Sequence, residues 1–201
     1  MRNYEHLDRY INELTQDIYP QPEDPGHTKM SQTIIDKWMS SLPDCHSVLD
    51  VGCGTGFCQP MFERWNVEYT GVALGVDVIE AESLGRNVKR MDFSFLDFDD
   101  NSFDLVFSRH SAEHSFSPLL SLMEWHRVSR TWLGLVVPAP EHFGYSGRNH
   151  PYVLKLEQWN NILERAGWNP IWQSETPLSP EISIPMEYCI FSEKVKRIKY
   201  S

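Results

Sequence analysis

His110-Ser-Ala-Glu113-His114 puts two imidazoles and a carboxylate into one short run. Histidine exchanges protons near neutral pH, so either ring can act as a general base on a hydroxyl or an amine. On a helix, residues three and four apart share a face, which would bring His110, Glu113 and His114 together. With His150 or His142 from a later loop as a fourth donor, this set suits Zn²⁺, Mn²⁺ or Fe²⁺ better than oxygen-preferring Mg²⁺. The order His-x-x-Glu-His also occurs in zinc proteases. Context opposes that reading, because the segment here directly follows an apolar strand, Phe103–Arg109. Without a metal, His114 caps the turn or lines a pocket, and His110 remains a general base.

A second chemical element lies upstream. The apolar run Val48-Leu-Asp50-Val51 ends in Gly52, Gly54 and Gly56. Glycine tolerates positive φ and lets a ligand approach bare backbone. A phosphate-binding loop needs Gly-Lys-Ser/Thr at its end, and none follows. A dinucleotide loop needs its third glycine three residues after a Gly-x-Gly pair. Counting from Gly52, that position is Phe57, and the glycine falls one residue early.

Asp50-Val-Gly52-Cys-Gly54-Thr-Gly56 closely resembles motif I of the class I S-adenosylmethionine-dependent methyltransferases. The resemblance covers roughly residues 45–192. It implies that Gly52, Gly54 and Gly56 wrap the methionine and ribose parts of S-adenosylmethionine, and that Asp50 helps orient the amino group. It implies that Asp92 accepts from the adenine amino group, that Phe93 covers the ring, and that Ser108 faces the cofactor at a strand's carboxyl end. In the family a second acid, about 17–20 residues past the last glycine, holds the ribose hydroxyls. Here that register lands on Ala73, and Asp77 and Glu80 are the nearest substitutes. Some metal-dependent members, the ubiquinone-pathway O-methyltransferases and the small-RNA 2′-O-methyltransferases, carry Glu-x-x-Glu-His after the fourth strand. This chain has His110 where those have the first glutamate.

The elements that must position these residues alternate. Strands are expected at residues 48–51, Val67–Leu74, Val88–Phe93, Phe103–Arg109 and Trp132–Pro138. Helices are expected over Gly56–Trp65, Val78–Ser83, Leu119–Ser129 and Leu156–Ala166, the last closed by Gly167. Two final strands, near Ile171–Glu175 and Met186–Phe191, form a hairpin. Alternation of this kind gives an α/β fold with a parallel sheet. The expectation is a Rossmann-like parallel seven-stranded sheet, helices on both faces, and an antiparallel C-terminal edge hairpin. Residues 1–40 read as an N-terminal helical cap broken by a Pro-rich stretch, and 41–201 as the methyltransferase domain. Tyr19, His27 and Lys29 are the residues of that cap expected to approach the site. The loop after the fifth strand carries His142, Tyr145 and Arg148; a long polar-aromatic loop there reads as a substrate loop, and Arg148 suits an anionic group.

Composition narrows the function. Apolar residues are 41% and charged residues 23%, ordinary for a globular domain. No apolar stretch approaches the roughly 20 residues of a membrane span, and the start is too polar for a signal peptide. A cytoplasmic protein is expected, as a monomer or homodimer with reduced thiols. The net charge of −10 disfavours non-specific nucleic-acid binding. The leading expectation is methyl transfer to a hydroxyl or amine of a small-molecule acceptor, with His110 and His114 catalytic. Two other readings stay open: a metal-assisted RNA 2′-O-methyltransferase, and a methyltransferase-like binding protein without activity.

Overall fold

The computed structural model describes residues 5, 6, 9, 13, 25–143, 150–179 and 182–196. In chain order these form α1 (Pro25–Met39), β1 (Ser47–Val51), α2 (Gln59–Glu63), β2 (Glu68–Ala73), α3 (Val76–Ser83) and β3 (Val88–Arg90). Then come β4 (Phe103–Arg109), a 3₁₀ turn (Ala112–His114), α4 (Pro118–Val128), β5 (Ser129–Pro138), α5 (Pro140–Phe143), α6 (Leu156–Ala166), β6 (Trp168–Ser179) and β7 (Ile182–Lys194). The strands make one seven-stranded sheet in the order β3-β2-β1-β4-β5-β7-β6. Pairings among β1 to β5 are parallel; β7 runs antiparallel to both β5 and β6. This is the Rossmann-like sheet with a C-terminal edge hairpin that the alternation predicts. Among the described residues, no helix is long and apolar enough to cross a membrane.

Side-chain alternation sorts the core onto two faces. In β4, Leu105 and Phe107 pack with Ile34, Ile35 and Trp38 of α1 and with Met61 and Phe62 of α2. Val106 points the other way, with Leu122 and Trp125 of α4 and Trp159 and Leu163 of α6. The anticipated cap helix α1 is therefore one of the layers that cover the sheet. Trp38 is its anchor, with ring centroids 6.0 Å from Phe107 and 5.3 Å from Phe191. β5 makes room for it with Gly134, where a Cβ would lie 2.4 Å from the indole Cζ3.

β1 has β2 on one side and β4 on the other, so the winding of the chain reverses between β1 and β4. Ligands of open α/β sheets bind at such a switch point, beyond the carboxyl ends of the strands. The glycine turn after β1 and the His110 turn after β4 both lie there.

Gly134→Ala should lower unfolding free energy by about 1–3 kcal/mol, the usual cost of overpacking a filled core. Trp38→Phe in the same chain should recover part of it. Denaturant midpoints measure both, and an unchanged Gly134→Ala midpoint would contradict the packing described.

Candidate active site

Gly52, Gly54 and Gly56 take φ of 70°, 55° and 75°. Gly52 is required on two counts. Its φ is costly for any side chain, and a Cβ there would lie 2.3 Å from the Ser111 Cβ. That contact is the seam between the β1 turn and the β4 turn. The Ser111 hydroxyl strengthens it by donating to the Val51 carbonyl at 2.8 Å, and it meets the Ser108 hydroxyl at 2.8 Å. On the other side, the Gly52 and Cys53 amides donate to the Val72 carbonyl. The Arg86 guanidinium donates to the Thr55 carbonyl and hydroxyl, both at 3.1 Å.

Three carboxylates stand around this loop. Asp50, 3% exposed, accepts from the Tyr69 hydroxyl at 2.8 Å. Burial pushes its carboxyl up to about 7, opposed by the Tyr69 bond. Asp77, in the first turn of α3, places Oδ2 3.9 Å from where a Gly54 Cβ would be. Its Oδ1 is buried with no hydrogen-bond partner, and burial with Glu80 nearby raises its pKa. Ala73, at the position where an acid was expected, packs among Cys53, Val78, Ala81 and Val88. Asp92 turns Oδ1 back to accept the Ser94 amide at 2.8 Å, so one oxygen of the expected adenine partner serves its own loop. Phe93 stands beside Gly52 and packs edge-on against Trp125, with centroids 5.7 Å apart. Ser108 is fully buried, with its hydroxyl 2.8 Å from that of Ser111.

The β4 side holds the charged groups. The chain leaves the strand at His110, a non-glycine residue with φ of 51°, and strain of this kind collects at functional sites. His110 Nε2 lies 2.9 Å from Glu187 Oε2, and the Arg109 guanidinium donates to the same oxygen at 2.9 Å. The side chains of Arg109 and Glu187 are 4% and 1% exposed; a buried cation demands such an anion. Burial alone would raise the Glu187 carboxyl, but the His110 bond and the Arg109 charge hold it below the usual range. Burial lowers the His110 imidazole, with Glu187 opposing and Arg109 adding to the effect. His110 is therefore neutral at pH 7. The His27 ring, from α1, stacks on it at 6.4 Å, so the N-terminal segment does reach this place.

On the far side of the ring, His110 Nδ1 is 3.6 Å from Glu113 Oε1, and His114 Nε2 is 3.9 Å from the same oxygen. Glu113 is wholly buried, and neither of its oxygens has a hydrogen bond. Burial pushes its carboxyl up to about 8. The His114 and His150 rings are 4.6 Å apart. One donor atom each from Glu113, His114 and His150 lies within 4.8 Å of the others. Tyr152 fixes this approach: its amide donates to the Glu113 carbonyl and its hydroxyl to the Phe116 carbonyl.

Three of the four expected metal donors thus converge, and His110 stands outside the group, its Nε2 occupied by Glu187. The expected helical face is absent, because the segment is a strand end followed by a 3₁₀ turn. His142 is exposed on α5, while Tyr145 and Arg148 lie outside the described residues. Sequence reasoning missed Glu187 and Tyr69. A lone carboxylate in the apolar run Met186–Phe191 was the available signal for Glu187, as was Arg109 ending an apolar strand.

Residues 49–131 match a protein family described as a methyltransferase domain. No curated protein matches the sequence. Among solved structures, a SAM-dependent methyltransferase from Archaeoglobus fulgidus aligns with a TM-score of 0.69 at 18% identity, over 83% of this chain and 94% of that one. One from Aquifex aeolicus gives 0.64 at 20% identity, over 87% and 100%. The [4+2]-cyclase SpnF gives 0.71 at 16% identity, over 96% and 93%. At such identities these likenesses are of fold, and the family match covers residues 49–131. Residues 49–131 match a methyltransferase domain, and the chain shares the fold of these S-adenosylmethionine-dependent methyltransferases.

Proposed function

We propose that the chain moves the methyl group of S-adenosylmethionine to a hydroxyl or amine of a small-molecule acceptor, with His110 as the base. The observation that carries this reading is the seam. It sets a ligand-ready glycine turn beside a strained, neutral histidine at the switch point of the sheet. Because a [4+2]-cyclase shares the fold, the reading rests on these residues and not on architecture alone.

S-adenosylmethionine, when bound, supplies a sulfonium methyl for direct displacement. Gly52, Gly54 and Gly56 would receive its methionine and ribose parts. Asp50 would take the amino group, Asp77 the ribose hydroxyls, and Asp92 with Phe93 the adenine. The orphaned Oδ1 of Asp77 fits that assignment, since a buried acceptor without a donor is costly. His110 holds a lone pair for the acceptor's proton, and His114 and His150 border the same space. Holding donor and acceptor in line would supply much of the rate.

A second reading is favoured by Glu113. A fully buried carboxylate with no hydrogen bond is expensive unless a cation meets it. His114 and His150 complete a mixed N/O donor set suited to Zn²⁺, Mn²⁺ or Fe²⁺. Such an ion would lower the pKa of an acceptor hydroxyl bound to it.

Asp77→Asn should weaken S-adenosylmethionine binding about 10- to 100-fold in calorimetry, the range for a hydrogen bond to a charged group. No heat from wild type at millimolar cofactor would sink the methyltransferase reading itself. Affinity should also follow Asp50: ionised above pH 7 and protonated below, it should cost about tenfold between pH 8 and pH 6. Asp50→Asn should bind weakly with a flatter profile; an unchanged profile argues against an ionised Asp50 in cofactor binding.

For the cation, the sign follows from a folded-state carboxyl raised to about 8 from an ordinary 4.5. Between those values the folded chain holds a proton that the unfolded chain lacks, so metal-free stability falls as pH rises through the window. Glu113→Gln should therefore melt higher than chelator-treated wild type at pH 8, by a few degrees, since 1 kcal/mol is worth roughly 2–4 °C at this size. Added Zn²⁺ should raise the wild-type Tm and leave the variant unmoved. A wild-type Tm indifferent to Zn²⁺, Mn²⁺ and Fe²⁺ rejects the ion.

A further inference from the structure

We infer that Glu187 is a positioning residue, acting through His110: it fixes which ring nitrogen of His110 carries the proton and so which one is basic. The inference rests on the reading of His110 as the base. Glu187 sits on β7, opposite Pro138 of β5 and Thr176 of β6. It therefore belongs to an interior strand with a ladder on each side, a rigid platform. Its Oε2 is 2.9 Å from His110 Nε2 and 2.9 Å from the Arg109 guanidinium. Arg109 thus holds that oxygen in place, and the His110 ring meets it from the turn that leaves β4.

The consequence is chemical. A neutral imidazole has one donor and one acceptor nitrogen, and an ionised carboxylate only accepts. Nε2 must then carry the hydrogen, and Nδ1 keeps the lone pair. Nδ1 lies on the edge facing Glu113, where His114 and His150 gather. Glu187 thus aims the basic nitrogen at that side of the crevice. Carboxylates that accept from the far nitrogen of a working histidine set tautomer and orientation in this way.

The test is long-range ¹H–¹⁵N NMR on the full chain labelled at histidine, at one fixed pH, with His110 assigned by its loss in His110→Gln. Wild type should show His110 as the Nε2–H tautomer. Arg109→Met/Glu187→Met removes both buried charges together, a replacement that cores often tolerate. It should stay folded and show His110 as a mixture of tautomers. Glu187→Asp, which keeps the charge on a shorter arm, should fall between the two. An Nδ1–H tautomer in wild type overturns the inference whatever the variants do. So does a folded double variant whose tautomer is unchanged. Calorimetry with S-adenosylmethionine on the same samples separates the two questions. A wild type that binds no cofactor defeats the methyl-transfer reading, while the tautomer still decides the role of Glu187.

Discussion

The contact between Gly52 and Ser111 is the constraint on which the site depends. No side chain fits at residue 52, because a Cβ would overlap Ser111. The Ser111 hydroxyl ties the β4 turn to the last carbonyl of β1, and Ser108 braces it from the strand below. Two turns 60 residues apart in sequence are thereby pressed into one wall. The sheet order places them at the switch point, and the seam decides how closely they approach. Loosening it would separate the glycine turn from His110.

Behind that wall lies a line of buried ionisable groups: Arg109, Glu187, His110 and Glu113, with His114 beyond. The two ends differ. At one end, Arg109 and Glu187 satisfy each other and pin His110. At the other, Glu113 is buried without a hydrogen bond, a cost that a binding event would relieve. A rigid pair next to an unsatisfied acid is the pattern of a site preorganised on one side and ready for a ligand on the other. Asp77 repeats this beside the glycine turn, with one buried oxygen left unmet.

Much of this was legible in the residues. Short continuous apolar runs separated by helical stretches gave the sheet, because strands covered on both faces carry apolar side chains on both. Three glycines after a buried strand gave the loop, because only glycine takes that backbone. The spacing of His110, Glu113 and His114 suits a helical face, but Ser111 is committed to Val51, so the chain turns as a 3₁₀ segment. The missing ribose acid at Ala73 is a packing matter: β2 ends inside a small apolar cluster, and a carboxylate faces the loop from the following helix instead.

The sequence by itself determined the fold class, the glycine turn and the place of the His110–His114 segment after the fourth strand. Those follow from local rules: periodicity, glycine conformation and the short range of donor spacing. Only the tertiary structure decided that His110 belongs with Glu187, 77 residues away, while Glu113 and His114 belong with His150. Partners of that kind are set by how β7 inserts beside β5, which no local pattern encodes. A buried arginine announces that it needs an anion; the register of the sheet chooses which one.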